Sequence, residues 1–308
     1  MLNKILTSPS SFGQVGSAPV DILKTHRFEI INNPFGRKLT EEEVIELAKD
    51  CVGIVAGVEP LTAKVMDALP RLKCISRVGV GMDNVDLEYA KQKGIIVANT
   101  PDGPTRSVAE LTLAMTLSLL RKIPQADAAL KNKQWKKQTG NLILNKTIGI
   151  VGLGRIGKAV AQLFRGIGNP VIGYDLIRNE DWASQFNVEL VEFTTLIATA
   201  DIISVHVPGN SNKSYLIGEG EIKQMKDGAF FINISRGDIV DETALYNALK
   251  AKKLRGAAID VFSEEPYTGS LTELENVVLT PHIGSYAEEG KLIMEVDAVK
   301  NLITALNA

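Results

Sequence analysis

Two cysteines in 308 residues leave no disulfide framework to hold a fold together. They stand apart in apolar runs, Cys-Val-Gly-Ile-Val from Cys51 and Leu-Lys-Cys-Ile-Ser around Cys74. Both read as buried free thiols rather than redox or metal groups, and no metal site is expected. Excess charge of either sign is missing too. The 34 Lys and Arg residues face 36 Asp and Glu, so the net charge is -2 and gives no footprint for nucleic acid or an anionic membrane. Long hydrophobic runs are absent as well. The most apolar helical stretch, Val108 to Leu120, is interrupted by Glu110, Thr112, Thr116 and Ser118, which makes it too short and too polar to span a bilayer. Met1 to Ser11 carries one lysine and no extended apolar core, so no secretory signal is read and a cytoplasmic location is expected. Without such a signal, the acceptor patterns at Asn145-Lys146-Thr147, Asn212-Lys213-Ser214 and Asn233-Ile234-Ser235 carry no meaning.

What is present is α/β alternation. A chain of 308 residues usually holds two cores, because single cores rarely grow past about 250 residues. Short apolar runs predict strands at Lys4–Thr7, Phe28–Ile31, Gly53–Ala56, Lys73–Arg77 and Ile95–Asn99. Helical stretches fall between them at Pro19–Lys24, Glu41–Lys49, Ala63–Ala68 and Leu87–Lys93, the second opening on the capping sequence Thr40-Glu41-Glu42-Glu43. This is a five-stranded doubly wound unit of flavodoxin-like type, spanning residues 1–100. A second series predicts six strands, at Thr147–Val151, Val171–Tyr174, Ile202–Val207, Ala229–Ile234, Gly256–Val261 and Val277–Thr280. With helices from near Arg155, Thr194, Glu219 and Glu242, it reads as a Rossmann-type parallel sheet within residues 101–286. A longer helix, Thr105 to Arg121, and a charged connector, Lys131 to Lys137, lie between the two. The final helix, Glu288 to Leu306, has nothing after it to pack on, so residues 287–308 are expected to complete the first unit.

Ile148-Gly149-Ile150-Val151-Gly152-Leu153-Gly154-Arg155-Ile156-Gly157-Lys158 joins a strand, a glycine turn and a helix start. Glycine at Gly152 permits the tight turn, at Gly154 lets backbone approach a pyrophosphate, and at Gly157 allows helix to pack on strand. Arg155 and Ile156 open the helix, whose N-terminus offers N–H groups to phosphates. Asp175 follows about twenty residues after the turn, where a carboxylate hydrogen-bonds both hydroxyls of an adenosine ribose. It repels a 2′-phosphate, so NAD is the expected cofactor; Arg178 nearby complicates this, while Leu176 directly follows the acid.

Ligands collect beyond the carboxyl ends of strands in an open parallel sheet. Three late strands deliver polar residues there: Ser235-Arg236-Gly237, Ser263-Glu264-Glu265-Pro266 and Pro281-His282-Ile283-Gly284. Hydride exchange at a 2-hydroxy acid needs a cation for the carboxylate and a proton carrier for the oxygen. Arg236 offers a fork-shaped contact, His282 a proton near neutral pH, and Glu265 a partner that orients the imidazole and favours its charged form. His206, ending a central strand in Ser204-Val205-His206-Val207-Pro208, is the rival histidine, and His26 is expected on the surface.

Met225 to Gly237, Asp260-Val261-Phe262-Ser263-Glu264-Glu265-Pro266 and Thr280-Pro281-His282-Ile283-Gly284 resemble the signatures of the D-isomer-specific 2-hydroxyacid dehydrogenases over nearly the whole chain. The resemblance implies that Arg236, Glu265 and His282 are the substrate arginine, the glutamate partner and the general acid/base. It makes Asp260 the holder of the nicotinamide carboxamide and places His206 and Pro208, with Ser235 and Gly284, along the cofactor pocket. It implies that backbone N–H groups at Val78 and Gly79, in Ser76-Arg77-Val78-Gly79-Val80-Gly81, hold the substrate carboxylate as a small nest. The wording of this loop, of Asn99-Thr100-Pro101 and of Arg106-Ser107-Val108-Ala109-Glu110 is most similar to the phosphoglycerate dehydrogenase branch. Arg77 and Arg106 are then candidates for a substrate phosphate, with Lys136 or Lys137 reaching in from a partner subunit. The chain ends at Ala308 without the regulatory ACT domain of the long forms, so serine feedback through such a domain is not expected. By the same resemblance residues 105–135 form a dimer contact, giving a homodimer or a dimer of dimers. Glyoxylate or hydroxypyruvate reductase is the nearest alternative, and an NAD-sensing corepressor is the alternative from another class. Formate dehydrogenase is disfavoured, since it replaces the family glutamate with glutamine.

Overall fold

The computed structural model describes residues 2–209 and 214–307; Met1 and the Asn212-Lys213 part of the sequon lie outside the described residues. The chain divides into two compact units, Met1–Ser107 with Ser285–Ala308, and Val108–Gly284.

Unit 1 runs β1 (Lys4–Thr7), α1 (Ala18–Thr25), β2 (Glu29–Asn32), α2 (Glu41–Ala48), β3 (Cys51–Ala56), α3 (Ala63–Ala68), β4 (Cys74–Arg77), α4 (Leu87–Gln92) and β5 (Ile96–Ala98). Its sheet is parallel in the order β2-β1-β3-β4-β5, the flavodoxin-like arrangement. The acidic start of α2 forms a full capping box: Thr40 Oγ1 accepts from Glu43 N, and the Glu43 carboxylate accepts from Thr40 N. All six residues of β3 are buried, which explains why that strand begins at Cys51 rather than at Gly53. Burial pushes the Cys51 thiol up to about 11 and the Cys74 thiol up to about 12, so both are inert at neutral pH.

Next come α5 (Gly103–Arg121) and α6 (Ile123–Lys131). Lys122, at φ +54, separates them, so part of the stretch beyond Arg121 is a second helix.

Unit 2 continues with β6 (Ile148–Val151), α7 (Arg155–Gly166), β7 (Val171–Tyr174), α8 (Glu180–Gln185), β8 (Glu189–Leu190), α9 (Phe193–Thr199), β9 (Ile202–Val205), α10 (Glu219–Gln224), β10 (Ala229–Asn233), α11 (Glu242–Lys250), β11 (Leu254–Ile259) and β12 (Val277–Leu279). The sheet is parallel, ordered β12-β11-β10-β9-β6-β7-β8. Among the described residues it has seven strands, not six. The extra one, β8, is two residues long, too short to show an alternating pattern in sequence, and α8 precedes it. The strand order reverses between β6 and β9, so the crevice of a doubly wound sheet opens at their carboxyl ends.

The closing helix, α12 (Glu288–Asn307), belongs to unit 1. Its Ala298, Val299, Leu302 and Ile303 pack with Ile5, Val52, Val55 and Cys74. Each large aliphatic side chain so removed from water stabilises by roughly 1.5–3 kcal/mol.

Candidate active site

The glycine turn of unit 2 is built by exclusion. Gly152 has φ +92, and a Cβ there would lie 2.5 Å from the His206 carbonyl oxygen. A Cβ on Gly157 would lie 1.8 Å from the Gly152 carbonyl oxygen, so only glycine lets α7 sit this close. Gly154 is different: nothing lies within 4 Å of where its Cβ would point. That open space adjoins the first turn of α7, formed by Arg155, Ile156 and Gly157, where backbone N–H groups precede any carbonyl of the helix itself.

Asp175, just past β7, accepts from Leu153 N at 2.6 Å and from Ile177 N at 2.9 Å. Its carboxylate is thereby fixed beside the glycine turn. Arg178 is turned to other acids, with Nε 3.0 Å from Glu180 and Nη1 3.2 Å from Glu192. After β9, His206 Nε2 is 2.8 Å from Ser204 Oγ, while buried Nδ1 has no partner among the described residues. Burial pushes this imidazole down to about 3, so it is neutral near pH 7 and unsuited to the rival acid/base role. Pro208 follows it, exposed, and His26 is exposed in unit 1.

Three loops meet at the carboxyl ends of the neighbouring strands β10, β11 and β12. Asn233 pins the first: its Oδ1 accepts from Ser235 N (3.0 Å) and Oγ (2.7 Å), and its Nδ2 donates to Arg236 O at 2.9 Å. Arg236 Nη1 donates to Ser235 O at 2.8 Å. A Cβ at Gly237 would lie 1.9 Å from the Phe262 carbonyl carbon, so glycine lets the Arg236 turn press on the loop after β11.

That second loop begins at Asp260, which is fully buried. Asp260 Oδ1 accepts from Thr280 Oγ1 (2.5 Å) and Ile283 N (2.9 Å), and Oδ2 accepts from Gly284 N (2.8 Å). Burial raises its carboxyl above the ordinary range, and these hydrogen bonds oppose the rise. The result is a third loop, Thr280 to Gly284, strapped to the second. His282 sits in it at φ +53 and turns Nδ1 to Glu265, 2.9 Å from Oε2 and 3.1 Å from Oε1. Glu265 Oε1 also accepts from Phe262 N at 3.1 Å, so the carboxylate itself is held. Asn233, Thr280 and Ser204 hold these loops and His206 in place, yet no motif in the sequence singles them out. Their signal is a short polar side chain within or just past an otherwise apolar strand.

In unit 1, Arg77 ends β4 and Arg106 is exposed on the second turn of α5. Arg77 Nε lies 3.4 Å from Asn84 Oδ1, and Nη1 bonds Val78 O. The nest at Val78 and Gly79 needs correction, because neither N–H is open: Val78 N donates to Ala56 O and Gly79 N to Thr100 Oγ1, both at 2.8 Å. Gly79, at φ +133, is the glycine this turn requires.

The model of the D-isomer specific 2-hydroxyacid dehydrogenase, NAD binding domain, matches residues 113–284. The chain belongs to this family. Those residues fall within unit 2, so its glycine turn and Asp175 lie in an NAD binding domain. The family's D-3-phosphoglycerate dehydrogenase from Archaeoglobus fulgidus is 43% identical over 256 residues, covering 82% of this chain but 49% of that protein. The chain thus spans about half the length of the phosphoglycerate dehydrogenases it matches. The glyoxylate reductase of Korarchaeum cryptofilum is 37% identical over 273 residues, covering 86% of this chain and 82% of that enzyme. Among solved structures, D-lactate dehydrogenase from Aquifex aeolicus, complexed with NAD and lactic acid, aligns over 99% of this chain and 96% of that one. It does so at TM-score 0.82 and 30% identity. The TT0316 protein of Thermus thermophilus aligns over 99% of this chain and 97% of that one, at TM-score 0.89 and 32% identity. No helix among the described residues is long and apolar enough to cross a membrane.

Proposed function

We propose that this chain is an NAD-dependent dehydrogenase that interconverts a D-2-hydroxy acid and its 2-keto acid. One observation carries the reading: the His282–Glu265 pair stands on the carboxyl edge of the sheet that bears the glycine turn. A histidine there moves a proton, and a carboxylate on its Nδ1 leaves Nε2 for substrate.

The residues fit the cofactor. The open face of Gly154 and the N-terminus of α7 suit a pyrophosphate, and Asp175 stands where a ribose would need its acceptor. His206, Pro208, Ser235, Asp260 and Gly284 are read as the remaining wall. Bound NAD supplies the hydride acceptor for oxidation and, reduced, the hydride donor for the reverse. His282 accepts the hydroxyl proton at Nε2 as the alcohol is oxidised and returns it on reduction. Glu265 orients the ring and balances its positive charge. Arg236 pairs with the substrate carboxylate through its planar fork.

The relatives lend support to a substrate class. Several named D-3-phosphoglycerate dehydrogenase, at 37–44% identity, favour 3-phosphoglycerate and 3-phosphohydroxypyruvate. For unit 1 we therefore read Arg77 and Arg106 as phosphate contacts and the Val78–Gly79 turn as their frame. A second reading, reduction of glyoxylate or hydroxypyruvate, is favoured by the glyoxylate reductase matched over most of its own length. Exposed apolar side chains at Ile123, Leu130 and Trp135 support a homodimer built on residues 105–135. A steady-state screen with NADH against phosphohydroxypyruvate, hydroxypyruvate, glyoxylate and pyruvate separates the two substrate readings. No turnover of any 2-keto acid would overturn both. Light scattering on the eluting protein reads the dimer.

A further inference from the structure

Arg77 does not hang from β4 alone. Asn84 Oδ1 meets its Nε at 3.4 Å, and the other end of that amide is spoken for. Asn84 Nδ2 donates to Glu59 O at 2.6 Å and to Gly57 O at 3.3 Å. Two carbonyl oxygens on one side force the amide nitrogen toward them, so the amide oxygen must face the guanidinium. The carbonyls are themselves positioned by a buried acid. Glu59 is 1% exposed, and its carboxyl accepts from Gly57 N at 3.0 and 3.1 Å and bonds Ser8 Oγ. Ser8 Oγ also accepts from Gly57 N at 2.9 Å.

This network ties together the residues that follow β1 (Ser8) and β3 (Gly57, Glu59) with the end of β4 (Arg77). The order β2-β1-β3-β4-β5 reverses between β1 and β3, so the tie lies at the switch point of the unit 1 sheet. Burial raises the Glu59 carboxyl above its ordinary value, while the Ser8 and Gly57 hydrogen bonds and the charge of Arg77 lower it. A carboxyl kept at that desolvation cost in a structural knot implies that the knot's shape matters.

We propose that Asn84 and Glu59 are positioning residues for Arg77: Glu59 sets the two carbonyls, the carbonyls orient the Asn84 amide, and the amide aims the guanidinium. The functional consequence rests on the substrate role proposed above for Arg77.

Two readouts keep the failure of this inference apart from the failure of that role. In steady-state kinetics with the best 2-keto acid, Asn84→Ala raises KM for the acid about tenfold, the worth of one hydrogen bond to a charged group, with kcat nearly unchanged. In an Arg77→Ala background the same substitution adds nothing further. Glu59→Gln, which keeps one donor and one acceptor, stays close to wild type, whereas Glu59→Ala matches Asn84→Ala. Independently of substrate, the Arg77 Nε–H resonance, assigned by its loss in Arg77→Lys, exchanges slowly with solvent in wild type and fast in Asn84→Ala. An unaltered resonance, or KM effects that multiply fully in Asn84→Ala/Arg77→Ala, overturns the clamp. If Arg77→Ala leaves KM unchanged while the resonance responds, the clamp stands and the substrate role of Arg77 is what fails.

Discussion

The Glu265 carboxylate grips His282 Nδ1 at 2.9 Å, and does so from a histidine backbone in the left-handed region, at φ +53. A non-glycine residue there is strained by about 1 kcal/mol or more and persists only where its surroundings insist. Here the insistence comes from buried Asp260, which takes hydrogen bonds from Thr280, Ile283 and Gly284 on either side of the histidine. The imidazole is therefore aimed by the backbone before the carboxylate touches it.

Proton transfer through that ring is open to direct measurement. His282→Gln should lower kcat by about 10²–10⁴-fold, the usual worth of a positioned acid/base. NADH binding, read by fluorescence titration, should stay within about threefold of wild type, since the glycine turn and Asp175 are untouched. Glu265→Gln should fall between the two, because it keeps an acceptor for Nδ1 and loses the charge. Wild-type turnover in His282→Gln would sink the assignment.

Cofactor choice is the second prediction. Asp175 is pinned by two backbone N–H groups, and Arg178 is engaged by Glu180 and Glu192. A 2′-phosphate would therefore meet a fixed negative charge without a ready cation. Asp175→Ala should raise KM for NAD roughly ten- to a hundredfold and narrow the NAD to NADP preference, through loss of hydrogen bonds to a charged group. A native enzyme already faster with NADP would refute this account.

How much of this was legible beforehand divides along local and long-range lines. The glycine turn is local: Gly152, Gly154 and Gly157 follow a strand in sequence, and their geometry repeats in the fold. His282 and Glu265 could be paired because both stand just past strands of a parallel sheet, whose carboxyl ends share one edge. The Val78–Gly79 nest misled for the opposite reason. Its N–H groups are taken by Ala56 and Thr100, each more than twenty residues away along the chain, and no local pattern announces such partners. Burial of Asp260 and Glu59 was equally hidden: one stands at the end of an expected strand and the other in a loop, and nothing near either in sequence announces that Thr280 and Gly284, or Ser8, hydrogen-bond them from distant parts of the chain. The edge strand β8 offered two residues where a strand pattern needs four or more.

Gly237 supplies a packing prediction. A Cβ there would collide with the Phe262–Ser263 backbone, and Phe262 is stacked on Tyr267 at 4.1 Å between ring centroids. Gly237→Ala must push the Arg236 turn off that surface. Overpacking of this kind costs about 1–3 kcal/mol, measurable as a lower urea midpoint. Because the displaced turn carries Arg236, KM for the acid should rise as well. A variant with native midpoint and native KM would show that the turn is not constrained there.

Acid stability gives the last test, and its sign follows from His206. Burial places its folded-state pKa at about 3, against an unfolded value near 6.5. Above pH 6.5 the imidazole is neutral in both states and contributes no pH dependence. Between about 6.5 and 3 the unfolded chain binds a proton that the folded chain refuses. Stability is therefore lost as pH falls through that window, by at most about 1.4 kcal/mol per unit. Moving from pH 7 to pH 5 should cost the wild type up to about 2 kcal/mol through this one group. His206→Gln keeps a side-chain amide for Ser204 and removes the titration, so its urea-derived stability should change less over the same step. Equal losses in the two proteins would mean that His206 gains a proton in the native state, and that its buried Nδ1 is open to water.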